Sequence, residues 1–71
     1  MFPKILRELR IDNDMSQQEV ANLIGMSQTG YSKYEIGENQ PPVETLIKLA
    51  KLYGTSVDFI LGLTKDNKPY K

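Results

Sequence analysis

Residues 16–36, Ser-Gln-Gln-Glu-Val-Ala-Asn-Leu-Ile-Gly-Met-Ser-Gln-Thr-Gly-Tyr-Ser-Lys-Tyr-Glu-Ile, carry the pattern of two short helices joined by a tight turn at Gly25. Ser16 is placed to cap the first helix, and Glu19 three residues on completes a capping box. Met15 and Val20 occupy the two positions of a hydrophobic staple. The same grammar recurs after the turn: Ser27 caps the second helix, with Met26 and Tyr31 at its staple positions. Val20, Leu23 and Ile24 form an inward stripe on the first helix, and Tyr31 and Tyr34 form one on the second. Ala21 falls at the crossing point, where a small side chain lets two helices approach. Gly25 suits the left-handed residue that ends a helix.

This arrangement resembles the helix-turn-helix of the phage-repressor DNA-binding family (Cro and lambda-repressor-like). The resemblance rests on Val20, Ala21, Ile24, Gly25, Met26, Tyr31 and Tyr34 and extends over residues 5–63. It implies an all-α, five-helix domain whose second motif helix enters the DNA major groove by its N-terminal residues.

Composition narrows the field from the other side. A chain of 71 residues allows one small domain, with no separate catalytic or ligand-sensing module. It buries only roughly 60% of its unfolded surface, so association with a second copy would add stability. Without cysteine or histidine, disulfides, the common zinc sites and the usual imidazole base are excluded, which argues against an enzyme. No metal or other cofactor is expected. No apolar run is long enough to span a bilayer and no secretory signal is visible, so a cytoplasmic address is expected. Nine basic and nine acidic residues cancel. A nucleic-acid binder more often carries a basic excess, so weak non-specific binding and a shallow salt dependence follow.

Outside the motif, Phe2, Ile5, Leu6 and Leu9 make an amphipathic stripe for a first helix, with Pro3 in its first turn. Asp12, Asn13 and Asp14 end it. After Ile36, the run Gly37-Glu-Asn-Gln-Pro-Pro turns the chain. A fourth helix starts at Pro42, Val43 and Glu44, with Leu46, Leu49, Ala50 and Tyr53 inward, Ile47 flanking, and Lys48 and Lys51 outside. Gly54 caps it. Ser56 opens a fifth helix, Val57 to Leu61, which Gly62 closes. The domain is expected over residues 1–63, followed by a mobile tail over residues 64–71 that includes Asn67 and Pro69.

With Tyr31 and Tyr34 turned inward as core residues rather than base-stacking aromatics, Gln28, Thr29, Ser32 and Lys33 occupy the outer side of the third helix. Glutamine can bond adenine through N6 and N7, lysine can donate to guanine O6 and N7, and a threonine methyl can touch that of thymine. The resemblance implies base contacts at Gln28, Thr29 and Lys33, with Ser32 a less constant neighbour. It also implies a phosphate-binding glutamine at Gln17, where free amides and the helix dipole favour an anion. Ser27 and, by position in the following loop, Asn39 and Gln40 are further phosphate candidates. Ile36, Glu38 and the two prolines depart from the polar or basic residues frequent there, and Glu38 would repel phosphate. Gly30 leaves two readings open: space for DNA to approach the backbone, or simple tolerance. The resemblance further implies a scaffold ion pair between Arg10 and Glu35, and a dimer surface at Val57, Phe59 and Ile60, although Phe59 or Ile60 could equally close the core.

The expected function is a sequence-specific regulator of transcription, a repressor. It would bind a pseudo-palindromic operator in double-stranded DNA as a weak homodimer. The alternative is a protein-interaction module, an antitoxin or adaptor, whose partner covers the fifth helix.

Overall fold

Capped turns divide the chain into five helices. The structure, a computed structural model, describes residues 2–68, with the Phe2 side chain excepted. The expected place of Phe2 on the first stripe, and residues 69–71 of the tail, thus lie outside the described residues. The elements are α1 (Phe2–Asp12), α2 (Gln17–Ile24), α3 (Gln28–Glu35), α4 (Val43–Tyr53) and α5 (Val57–Leu61). No strand occurs among the described residues.

Local chemistry accounts for the boundaries. Ser16 Oγ accepts the Glu19 N–H at 3.0 Å, and the Glu19 carboxylate accepts the Ser16 N–H at 2.9 Å. Two donors that the first turn of α2 cannot satisfy internally are thereby paired. Gly25 ends α2 at φ 76°, a conformation that costs a side-chain-bearing residue energy and glycine little. Ser27 caps α3 by accepting the Gly30 N–H at 3.1 Å, and Ser56 caps α5 through Phe59 N–H at 3.1 Å.

The core gathers Leu6 of α1, Val20, Ala21 and Ile24 of α2, both tyrosines of α3, the expected stripe of α4, and Ile60. Tyr31 and Tyr34 meet edge to face at 6.3 Å, a favoured aromatic geometry. Helix α3 packs on α1 and α2, while α5 packs on α1 and α4. Helix α3 is therefore held from behind by two others.

Two expectations are corrected. Leu23 does not belong to the inward stripe; it is 62% exposed. Successive helical residues turn by about 100°, and the close crossing buries Ala21 completely. The buried arc is thus centred between Val20 and Ala21, and Leu23 falls roughly 110° away from that centre. Ile60 offers no surface to a second copy, because it is fully buried in the core of the monomer. Val57 and Phe59 keep part of their surface.

Packing adds a third reason for Gly30. A Cβ there would stand 2.9 Å from Met26 Cε and 3.2 Å from Ser27 Oγ. The Met26 methyl group, the far end of a flexible side chain, occupies the space a side chain at residue 30 would take.

Candidate nucleic-acid interface

Burial of Tyr31, Tyr34 and Glu35 fixes the rotation of α3. Gln28, Thr29 and Lys33 are left exposed and Ser32 half-exposed. Together with Gln17, Ile36 and Glu38 these four line an open depression of about 400 Å³. Base-reading candidates from α3 and a phosphate candidate from α2 thus share one face. Ser27 is exposed at the N-terminal edge of α3; its oxygen accepts from Gly30 N–H, leaving its own hydroxyl proton to donate. Asn39 and Gln40 are exposed but do not line the depression. The loop that carries them is tied to α3, with the Glu38 and Asn39 N–H groups donating to Lys33 O at 3.0 and 3.3 Å.

A buried polar network braces this face from beneath. Arg10 Nε donates to Glu35 Oε2 at 2.8 Å and its Nη2 to Oε1 at 3.1 Å. Its Nη1 donates to the Met15 carbonyl at 3.0 Å, so one guanidinium joins α1, the entry to α2 and the end of α3. Gln17 Nε2 donates to Glu35 Oε1 at 3.2 Å. This bond occupies one amide hydrogen of Gln17 and leaves the other, with the carbonyl oxygen, for a ligand. Tyr31 and Tyr53 hydroxyls bond at 2.8 Å, tying α3 to α4.

The electrostatics follow from this packing. Burial pushes the Glu35 carboxyl up, but hydrogen bonds from Arg10, Tyr31 and Gln17 outweigh it and hold the group below the usual carboxylate range. The hydrogen bond to Glu35 keeps Arg10 above its ordinary value. Burial pushes the Tyr53 hydroxyl up to about 12, so it stays neutral at physiological pH.

A depressed carboxylate stabilises the fold fully above its unfolded value, near 4.5, and that contribution is lost as pH falls through the folded value. Urea midpoints of the wild type and Glu35→Gln are expected to differ most near neutrality, with the wild type more stable. They should converge on acidification from the usual carboxylate range to below the lowered folded value. A gap that stays constant across that range would contradict the ionised, braced state of Glu35.

Ile36 was not among the site residues expected from the sequence, nor was one bond beneath this face. Ile36 is 64% exposed and lines the depression; its spacing of four from Ser32 and eight from Gln28 was a usable signal, since such residues share a helical face. The bond from Gln17 to Glu35 had no local signal. Among the described residues no group of three or more acidic side chains could hold a metal, and no helix is long and apolar enough to cross a membrane.

Comparison with known proteins matches residues 6–60 to a helix-turn-helix family model. An uncharacterized HTH-type transcriptional regulator of Bacillus subtilis, YobD, is 41% identical over 69 residues, covering 97% of this chain and 62% of the relative. A second from that organism, the SPbeta prophage-derived YonR, is 43% identical over 61 residues, 86% of this chain and 56% of the relative. The cryptic phage CTXphi transcriptional repressor RstR of Vibrio cholerae is 40% identical over 67 residues, 94% of this chain and 60% of the relative. The chain therefore spans under two thirds of the length of each of these relatives.

Proposed function

The chain belongs to the phage-repressor-like helix-turn-helix family, and from that membership we propose that it regulates transcription by occupying a specific double-stranded DNA operator, as a repressor. The observation that carries this is the shared open face: Gln28, Thr29, Ser32 and Lys33 stand beside Gln17 on a helix braced by Arg10 and Glu35. Helix α3 enters the major groove with its N-terminal end foremost. Gln28 and Lys33 donate to base edges, and the Thr29 methyl packs on a thymine. Gln17 and Ser27 donate to phosphate oxygens and fix the register, with Asn39 and Gln40 reaching the flanking backbone. Similarity to the repressor RstR supports repression as the outcome of occupancy.

Two copies related by a two-fold axis, meeting through Val57 and Phe59, would set their recognition helices about 34 Å apart in successive major grooves. Each neutralised phosphate contributes about −0.9 to the slope of log affinity against log salt. Among the described residues lining the depression Lys33 is the cationic one, and Glu38 opposes it. A shallow slope is expected, no steeper than about −2 for the dimer even with both Lys33 charges counted as phosphate-neutralising.

Selection of bound sequences from a random duplex library at low salt tests this proposal. Recovery of a pseudo-palindromic site with a shallow salt slope is the expected result. Absence of enrichment by the folded chain, or a steep slope with no sequence preference, would overturn it.

A further inference from the structure

We propose that Ile36 is a specificity-determining residue that packs on the 5-methyl group of a thymine in the operator. This rests on the DNA-binding function above and adds an apolar contact to its polar ones. Ile36 is 64% exposed and shares the depression with Gln17, Gln28, Thr29, Ser32 and Lys33. An isoleucine left this open within a polar face contributes nothing to the core. Its surroundings also do not suit a protein partner, which needs a contiguous apolar patch rather than one side chain among polar neighbours.

Gln28, Ser32 and Ile36 form one ridge at intervals of four residues, and eight residues of helix rise about 12 Å. That is no more than the roughly 12 Å width of the major groove, so with Gln28 at a base edge Ile36 still lies within reach of the groove. The backbone that carries this side chain is held, because the Ile36 N–H donates to Ser32 O at 3.2 Å and Gly37 turns the chain immediately afterwards at φ 81°. A phosphate gains nothing at this position: Ile36 has no side-chain donor, and the acidic Glu38 lines the same depression. The apolar group that the major groove presents to such a side chain is the thymine methyl.

The test uses the duplex recovered by selection, with each thymine replaced in turn by deoxyuridine, which removes the methyl and keeps the pairing and hydrogen-bonding edge. Competition binding is then measured for the wild type, Ile36→Ala, Ile36→Val and Thr29→Ser, each first shown to melt like the wild type. The wild type is expected to lose about fourfold at the thymine that meets Ile36 in each half-site, the worth of one buried methyl, besides its loss at the thymine that meets Thr29. Ile36→Ala should be indifferent to the methyl at that thymine, Ile36→Val should retain part of the effect, and Thr29→Ser should alter the response at a different thymine only. Tolerance of deoxyuridine throughout, with Ile36 packed on sugar carbons or on nothing, would overturn the inference. So would an Ile36→Ala variant whose thymine sensitivities equal those of the wild type. Either result leaves the DNA-binding function standing, whereas failure to recover any duplex overturns both.

Discussion

Replacing Arg10 with alanine is expected to leave most of the chain unfolded at 37 °C. The Glu35 side chain is only 2% exposed, against 15% for Arg10, so the substitution strands a carboxylate that water scarcely reaches. Removing one partner of a buried ion pair costs about 3–5 kcal/mol. A single small core supplies a net stability of about the same size. Arg10→Lys should rescue little, because one ammonium cannot reproduce both bonds to Glu35 together with the bond to the Met15 carbonyl. Arg10→Met combined with Glu35→Leu should recover much of the loss by removing both charges. Recovery should be incomplete, since Gln17 and Tyr31 then lose their acceptor. Urea unfolding of the three variants checks these values. A single Arg10→Ala change costing under about 1 kcal/mol would show that the pair behaves as an exposed one.

The second large effect concerns specificity. On the recovered operator, Gln28→Ala and Lys33→Ala are each expected to lose about 10- to 100-fold in discrimination at one base pair per half-site, the worth of a base-edge contact. Gln17→Ala should instead weaken binding evenly across sequences, because a phosphate contact positions without reading. Competition of the operator against every single-base-pair variant separates the two signatures. A uniform loss in the Gln28 variant, with preferences unchanged, would remove it from the base-reading set.

The helices were legible in the sequence because the signals that set them are local. Caps at Ser16, Ser27 and Ser56, the left-handed Gly25 and the stripe of α4 each depend on residues within a few positions of one another. Features that depend on how helices roll against each other were not. Leu23 obeyed helical spacing, yet the close approach at Ala21 turned it to solvent. The same sequence spacing could not decide whether Ile60 faced a partner or the core. Met26 filling the space beside Gly30, Gln17 reaching Glu35, and the paired hydroxyls of Tyr31 and Tyr53 all join residues whose distance is set by the tertiary fold. The Arg10–Glu35 pair followed from family resemblance, since a separation of 25 residues gives no local signal. On the interface, polar residues opposite the tyrosine stripe could be read directly. Ile36 escaped because an apolar residue at a helix end reads first as packing.

Backbone amide shifts of the isotopically labelled protein, titrated with the recovered operator, report directly which face of the chain meets DNA. The largest changes are expected at Gln17, Gln28, Thr29, Ser32, Lys33 and Ile36, with smaller ones at Val57 and Phe59 where the proposed second copy would join. Changes confined to α4 and α5, with α3 unmoved, would contradict recognition through α3.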